Sequence, residues 1–261
     1  MRVTHPLPHE TRMGKYYESD DYVPHSEVPR GIIPLLYGNV QRLTLVQKRN
    51  LVERMAHFSG RRLLDLGCGT GAFLNTMHRA GWEVDGVEAH ERARELVRKR
   101  YGLQVQAPDQ WLKSDSPGFD IVTLWHTLEH LHGLDRYLQR IRDGLRNDGF
   151  LFVAVPNYRS YDAEHYQTLW AAYDAPRHLY HFDFGSLATL FRKHRFRLFK
   201  IRHLPFDSFY VSMLSEKNGD GSLVRGVWIG LRSYLQALPD PRRSSSILFI
   251  LNKGGGPAVG A

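Results

Sequence analysis

The stretch that decides the fold runs from Arg61 to Leu74 and reads RRLLDLGCGTGAFL. It opens with an apolar run of strand length, formed by Leu63, Leu64 and Leu66. Alternate glycines follow at Gly67, Gly69 and Gly71, and the sequence continues from Ala72 with the spacing of a helix. A strand, a glycine turn and a helix in this order present backbone N–H groups to a nucleotide-like ligand.

Asp65 stands one residue before the end of the predicted strand, beside the glycine turn. A carboxylate at this place suits a positively charged ligand and repels a pyrophosphate. Gly67, Gly69 and Ala72 also satisfy G-x-G-x-x-A, a variant of the dinucleotide-binding fingerprint, and a glycine turn without a ligand is the plain structural alternative. The longer pattern from Asp65 to Gly71, D-x-G-x-G-x-G, is more specific and resembles motif I of the class I S-adenosylmethionine-dependent methyltransferases.

Length and composition set bounds on the rest of the chain. Its 261 residues, 42% of them hydrophobic, suffice for one α/β domain with additions or at most two small domains. The single cysteine, Cys68, excludes a disulfide scaffold within the chain. The first residues lack the apolar segment of a signal peptide, and no apolar run reaches the roughly 18 residues of a membrane span. We therefore expect a soluble, cytoplasmic protein without a transmembrane segment.

The formal net charge of +8 is unevenly distributed. From Leu190 to the end there are 12 Lys and Arg against 4 Asp and Glu, whereas the preceding residues are neutral overall. Such a basic third of the chain suits nucleic acid, an anionic membrane surface or an acidic substrate. A solvated basic face is the simpler interpretation, and it is the one that we favour.

Apolar periodicity and turn residues predict an alternation of strands and helices. The predicted strands are 63–66, 83–87, 103–106, 119–125, 150–155, 196–203 and 247–251. The predicted helices are 39–58, a helix from residue 72, 91–101, 134–145, 186–194 and 221–238. This alternation is typical of an α/β doubly wound parallel sheet, and two strands after an insertion suit an antiparallel edge.

Several motifs agree in order and spacing with one family. They are DLGCGTG (65–71), the acidic Glu88 at the end of the second strand, FDIVTLWHTLEHL (119–131), DGFLFVAVPN (148–157) and PRHLYHF (176–182). With these motifs the chain resembles the class I methyltransferases from Arg61 to about Lys253, in particular the subgroup that includes the ubiquinone-pathway O-methyltransferases. The resemblance implies a Rossmann-like, seven-stranded sheet with an antiparallel last strand, and S-adenosylmethionine as the cofactor.

The resemblance also divides the chain into parts. Residues 1–60 are expected to form an N-terminal helical lid and helix, and residues 61–253 the methyltransferase domain. This domain would carry insertions at about 157–185 and 204–244. Residues 254–261 are rich in Gly and Pro, and we expect a mobile tail there.

Carried over by position, the resemblance implies a set of cofactor-binding residues. They are Asp65, Gly67, Cys68, Gly69, Gly71, Glu88, Ala89, Asp109, Leu124, Trp125 and His126. Glu88 would accept two hydrogen bonds from the ribose hydroxyls, although a solvated acid at a strand end is the alternative. Asp109 would reach the adenine amino group, in a stretch that departs from the usual family pattern. Leu124, Trp125 and His126 would contact the cofactor from the other side.

Methyl transfer from a sulfonium requires alignment of the acceptor and removal of its proton. Histidine suits the second task because its unperturbed pKa is near 6.5. His130 follows the fourth strand at the edge of the sheet where ligands bind, and it is the first candidate base. His178 is the second, and a structural role is the alternative for His130. The candidate acceptor-binding residues are Tyr16, Tyr17, Trp170, Tyr173 and Arg177, with core packing or a salt bridge as their alternatives.

A rival interpretation comes from His126, Glu129 and His130, which satisfy the inverted zinc-peptidase signature H-x-x-E-H. That site would need a helix that places both imidazoles on one face, and a third ligand. Here the motif directly follows a predicted buried strand and supplies only two histidines. We therefore expect no metal.

Two further alternatives concern the reaction. The basic C-terminal third suits an RNA methyltransferase, but the sequence contains no RNA-binding module and no N/D-P-P-Y/F motif after the fourth strand. A protein that binds S-adenosylmethionine without turning it over is the non-catalytic alternative. We favour a small-molecule acceptor and O-methylation, consider nucleic acid an improbable partner, and leave the oligomeric state open.

Overall fold

The computed structural model describes residues 1–16, 32–56, 61–115 and 118–254. Nine strands lie within these residues. They are β1 (Arg2–Val3), β2 (Arg62–Leu66), β3 (Glu83–Val87), β4 (Val105–Gln106), β5 (Phe119–Trp125), β6 (Leu145–Pro156), β7 (Tyr180–His181), β8 (Arg197–His203) and β9 (Ser246–Asn252).

Seven of the strands form one sheet in the order β4-β3-β2-β5-β6-β9-β8. The strands from β4 to β6 run parallel to one another, and β9 runs antiparallel to both of its neighbours, β6 and β8. The carboxyl ends of β2, β3 and β5 therefore meet at one edge of the sheet. This arrangement confirms the predicted Rossmann-like sheet with its antiparallel last strand.

The α-helices of the described residues surround this sheet. They are α1 (Ile32–Met55), α2 (Ala72–Arg79), α3 (Glu91–Tyr101), α4 (Pro108–Lys113), α5 (Leu134–Gly144), α6 (Tyr161–Tyr166), α7 (Phe184–Lys193), α8 (Asp207–Asn218) and α9 (Leu223–Ala237). Helix α3 ends at Gly102, whose φ of 70° is the left-handed conformation that glycine adopts readily. Helix α7 begins after Asp183, whose carboxylate accepts a hydrogen bond from the Ser186 N–H.

The core lies on both faces of the sheet because successive strand residues point to opposite sides. Leu63 and Ile121 pack on one face with Phe73 and Met77 of α2. The residues next to them in the strands, among them Leu64 and Val122, pack on the other face with side chains of α5 and α7. The result is a three-layer arrangement that leaves the carboxyl edge of the parallel strands available to a ligand.

The first insertion is attached to both the N-terminal residues and the second insertion. Strand β1 pairs antiparallel with β7, so that Arg2 lies opposite His181. Buried Asp162 accepts hydrogen bonds from the Trp170 indole at 2.8 Å, the Ser233 hydroxyl at 2.6 Å and the Ser245 hydroxyl at 2.7 Å. Asp162 therefore connects α6 with α9 and with the residues that lead into β9.

The predicted division into a lid, a domain with two insertions and a tail stays a prediction. Of the proposed tail, only residue 254 belongs to the described residues. Tyr17 of the proposed lid lies outside them, and Tyr16 ends a short 3-10 helix, Glu10–Tyr16.

Candidate active site

The glycine turn after β2 is shaped by close contacts on two sides. Gly67 and Gly71 have φ values of +77° and +76°, which few residues other than glycine adopt. A Cβ atom at Gly67 would overlap the Thr127 side chain, and one at Gly71 would lie 2.8 Å from Val97. A Cβ atom at Gly69 would meet nothing within 4 Å among the described residues. The turn is therefore packed at both ends and open in the middle, where a ligand can lie against the backbone.

Glu88, at the end of β3, is fixed beside this opening. Its carboxylate is buried and accepts hydrogen bonds from the backbone N–H groups of Gly69 and His90, both at 2.9 Å. Each carboxylate oxygen has a second lone pair, so two acceptor positions are left for a ligand diol. The neighbouring carbonyl of Ala89 accepts a hydrogen bond from Arg94 at 2.6 Å.

Asp65 and Lys48 form a second charged feature at the turn. Asp65 is 2% exposed and accepts a hydrogen bond of 2.6 Å from the Thr123 hydroxyl. Burial raises the pKa of Asp65 to about 6, against the opposing effects of Thr123 and Lys48. The Lys48 ammonium lies 4.5 Å from the centre of the Trp125 ring. Burial lowers the pKa of Lys48. Sequence reasoning missed Lys48 because nothing in the α1 pattern indicates which polar side chain reaches the sheet edge.

The residues that end β5 point in different directions. The Leu124 side chain is fully buried in the core, and the predicted contact between this strand end and the cofactor stays a prediction. Trp125 faces the turn and packs edge-on against Phe73, with 5.5 Å between ring centres.

Asp109 is exposed in the first turn of α4, and its proposed contact with adenine stays a prediction.

His126 lies between two carboxylates. Its Nε2 atom is 2.9 Å from Asp207 Oδ2, and its Nδ1 atom is 3.7 Å from Glu129 Oε1. Burial disfavours the charged ring, but Asp207 and Glu129 outweigh this effect and raise the pKa of His126 to about 9. His126 is therefore protonated near neutral pH, and it cannot remove the proton from a substrate that receives the methyl group. Sequence reasoning also missed Asp207, which lies 81 positions away at the start of α8.

His130 and His178, the two predicted base candidates, lie side by side with 4.5 Å between ring centres. His130 Nδ1 donates to the Arg177 carbonyl at 3.0 Å, and His178 Nδ1 donates to the Ala172 carbonyl at 2.8 Å. Because a carbonyl can only accept, each neutral ring keeps its lone pair on Nε2. Burial and the neighbouring His178 lower the pKa of His130 to about 4, and burial lowers that of His178. Both rings are therefore neutral near pH 7.

Glu129 completes a cluster with these two histidines, here called the Glu–His–His cluster. Candidate ligand atoms of Glu129, His130 and His178 all lie within 4.8 Å of one another. The sequence offers His126 and His130 as possible metal ligands, whereas the structure groups His130 with Glu129 and with His178 from the first insertion. The helix that the zinc-peptidase signature needs is replaced by a 3-10 turn, Leu128–His130. The expectation of no bound metal stays a prediction.

The residues expected to bind the acceptor mostly have structural partners. Trp170 is 2% exposed and donates to Asp162, and the Tyr173 hydroxyl accepts a hydrogen bond from Arg2 at 2.9 Å. Arg177 forms an ion pair with Asp174 at 2.6 Å. These contacts favour the packing and salt-bridge alternatives, whereas Tyr16 is exposed.

A cavity of about 280 Å³ lies between α1 and the segment that joins β8 to α8. Lys48, Arg54, Arg202, His203 and Asp207 are among its lining residues. Of these lining residues, Lys48 contacts Trp125, whereas Asp207 contacts His126. The cavity therefore adjoins the end of β5. A second cavity, at Arg142 and Lys253, lies at the amino edge of the sheet, where ligands of such folds do not bind.

The model of a methyltransferase domain family matches residues 41–201, more than half of the chain. The chain belongs to this methyltransferase family. The match confirms the resemblance to the class I S-adenosylmethionine-dependent methyltransferases, and S-adenosylmethionine is the cofactor of this enzyme class. None of the helices in the described residues is long and apolar enough to cross a membrane.

Curated relatives of the methyltransferase include two enzymes named ubiquinone biosynthesis O-methyltransferase. The one from Caulobacter vibrioides is 27% identical over 143 residues, covering 49% of this chain and 57% of the relative. The one from Bordetella pertussis is 33% identical over 105 residues, covering 38% of this chain and 42% of the relative. The chain thus spans about half the length of the curated relatives that it matches.

Solved structures share the fold at low sequence identity. A S-adenosylmethionine-dependent methyltransferase from Archaeoglobus fulgidus is 20% identical, with a TM-score of 0.55 over 81% of this chain and 94% of that chain. A geranyl diphosphate methyltransferase in complex with S-adenosylmethionine is 16% identical, with a TM-score of 0.57 over 84% of this chain and 88% of that chain.

Proposed function

We propose that the protein transfers the methyl group of S-adenosylmethionine to a hydroxyl oxygen of a small-molecule acceptor. The observation that carries the proposal is the arrangement of three charges around the open glycine turn, those of Asp65, Lys48 and Glu88. The cofactor has an ammonium and a carboxylate at its methionine end and two hydroxyls on its ribose. Asp65 and Lys48 match the two charges, and the free lone pairs of Glu88 match the hydroxyls.

When bound, the cofactor supplies an electrophilic methyl group on a positively charged sulfur. The acceptor oxygen must approach this methyl group in line, and the acceptor must lose its proton. Positioning by the protein can provide most of the acceleration. The lone pair on His130 Nε2 is the proposed proton acceptor, with His178 Nε2 as the alternative, because both rings are neutral near pH 7.

The cavity beside Lys48 and Asp207 is the proposed entrance for the acceptor. Its volume of about 280 Å³ is near the lower end of small-molecule pockets, which suits a small acceptor. The charge of Asp207, which lines the cavity, is neutralised by its ion pair with His126. The choice of oxygen as the methylated atom is supported by the names of the curated relatives.

The proposal is tested by transfer of labelled methyl groups from S-adenosylmethionine into a cell extract, followed by identification of the labelled product. A methyl ether of a small molecule is expected. Label on nitrogen or carbon would contradict the choice of oxygen, and label on RNA would support the alternative acceptor. S-adenosylhomocysteine binding without any transfer would instead indicate a non-catalytic binding protein.

A further inference from the structure

Helix α9, fifteen residues long, packs on α8 through small side chains. Its buried residues are Gly226, Ile229, Gly230, Ser233 and Ala237. A Cβ atom at Gly226 would lie 2.8 Å from Met213 Cα, and one at Gly230 would lie 2.6 Å from Phe209 Cα. The two helices therefore approach backbone to backbone, and α9 can face α8 only with this small-residue side.

The opposite side of α9 is apolar and exposed. It is formed by Leu223, Val224, Val227, Trp228 and Leu235, here called the α9 face. Val224 is 81% exposed and Trp228 is 61% exposed, whereas the other four tryptophans of the chain are at most 9% exposed. A surface helix normally presents its polar residues outward, and a contiguous exposed apolar patch marks an interaction site.

Positive charge follows one edge of the α9 face. At about 100° per residue, Arg225, Arg232 and Gln236 fall on the same flank of the helix, next to the apolar residues. Arg243 donates to Gln236 at 3.4 Å, which adds a third arginine to this edge. The sequence of α9 contains no Asp or Glu, and the Glu216 carboxylate that pairs with Arg225 is buried.

We propose that the α9 face docks on the surface of an anionic lipid bilayer. Apolar side chains with an exposed Trp, bordered by arginines, are the combination that lies in the boundary between lipid headgroups and acyl chains. The arginines would contact lipid phosphates, and the net negative charge of an anionic bilayer would attract them. A second copy of the chain packed through the same helix would present the same arginines, and α9 itself carries no Asp or Glu to pair with them. The docking is independent of the identity of the methyl acceptor.

The test uses the full chain and vesicles of phosphatidylcholine with about 30% phosphatidylglycerol, compared with vesicles of phosphatidylcholine alone. Co-sedimentation with the anionic vesicles is expected, and the tryptophan emission should shift to shorter wavelength. The shift should come from Trp228, because the other tryptophans are already buried. The double variant Val224→Ser/Trp228→Ser should bind at least about tenfold more weakly, since it loses two membrane-inserting side chains.

Two control variants make the result specific. Leu43→Ser/Val46→Ser removes two exposed apolar side chains of α1 and should leave vesicle binding unchanged. Arg232→Gln/Arg243→Gln should reduce the preference for anionic vesicles. Because all of these side chains lie on the surface, the melting temperatures should stay close to that of the wild type.

Several outcomes would overturn the proposal. One is no binding to anionic vesicles, and another is equal binding by the wild type and Val224→Ser/Trp228→Ser. A third is self-association in analytical ultracentrifugation that the same double variant abolishes, without vesicle binding, which would identify a second copy as the occupant.

Discussion

Glu88 accepts hydrogen bonds from the backbone N–H groups of Gly69 and His90, so its carboxylate is held by the protein itself. The resemblance to the class I methyltransferases assigns the ribose to this carboxylate, and that role stays a prediction. The observed contacts add a second role, since they fix the backbone on both sides of the opening. Loss of the carboxylate would therefore affect ligand binding directly and through the shape of the turn.

We expect Glu88→Ala to weaken S-adenosylhomocysteine binding by about 1.5–3 kcal/mol, the scale of hydrogen bonds to a charged group. Titration calorimetry measures this difference. Glu91→Ala, which removes an exposed acid three residues further along, should bind like the wild type. Unchanged affinity in the Glu88 variant would show that the ribose is held elsewhere.

His130 lies in the 3-10 turn that follows β5, whereas His178, the other candidate base, comes from the first insertion. His130 is therefore the first candidate to test. We expect His130→Ala to lower the transfer rate by about 10²–10⁴-fold with cofactor affinity nearly kept. Because the pKa of His130 is lowered to about 4, the wild-type rate at saturating cofactor should fall as the pH drops through about 4, where the ring becomes protonated. Protonation of Asp65, whose pKa is about 6, should act separately by weakening cofactor binding. Transfer rates on the identified acceptor between about pH 3.5 and pH 8 measure this dependence.

His178→Ala provides the comparison for that measurement. If His130→Ala keeps full activity and His178→Ala loses it, the base lies in the insertion. If both variants keep full activity, positioning alone suffices and the neutral histidines have a structural role.

His126 links the pH to the stability of the fold. Its folded pKa is about 9 and its unfolded pKa about 6.5, so the folded state binds the proton more tightly. The resulting stability is fully present below pH 6.5 and is lost as the pH rises through about 9. Urea unfolding should show this loss in the wild type and a smaller loss in His126→Asn. Asparagine suits the comparison because it tolerates the φ of 55° at this position. Identical pH profiles would contradict the assignment.

At the scale of elements, the insertions depend on a buried carboxylate. Asp162→Ala leaves the Trp170 indole and two serine hydroxyls without their acceptor. We expect the free energy of unfolding to fall by about 3 kcal/mol, from the cost of buried donors left unpaired. Urea unfolding measures the change, and Asp148→Ala, at an exposed ion pair, should stay within about 0.5 kcal/mol. A loss below 1 kcal/mol in the Asp162 variant would show that the insertions are held by packing alone.

The elements differ in how well the sequence predicted them. The seven strands were predicted within about five residues. The buried strands β2, β5 and β9 are recognisable because they are nearly continuous apolar runs. Helix α8 was missed because its apolar residues do not repeat with a helical period, and α4 and α6 are too short to show one. The apolar side of α9 was predicted as one face of the helix. Its exposure to solvent was not predicted, because the small residues on the other side of the helix decide the contact with α8.

The candidate site was predictable where chemistry depends on residues close in sequence. The glycine turn and Glu88 belong to one strand–turn–helix unit and its neighbouring strand. Lys48, Asp207 and the pairing of His130 with His178 depend on elements that are distant in sequence, and no local pattern reports their contacts. The same distance explains why His178 was not expected beside Glu129 and His130.

At the scale of the whole molecule, a cofactor that joins β2, β3 and β5 should stabilise the fold. A ligand at 100 times its dissociation constant adds about 2.7 kcal/mol to the free energy of unfolding. We expect S-adenosylhomocysteine to raise the melting temperature measured by calorimetry, and NADH to leave it unchanged. Stabilisation by NADH alone would instead support the dinucleotide interpretation of the glycine turn.

The ion pair between His126 and Asp207 joins the parallel half of the sheet to the second insertion. The proposed cofactor-binding glycines and Glu88 follow β2 and β3, whereas Arg202 and Asp207, which line the cavity proposed for the acceptor, come from the chain after the first insertion. These two parts of the chain can therefore evolve separately. Substitutions between Arg202 and Asp207 would change the acceptor specificity of later members of the family, while the methyl donor would stay the same.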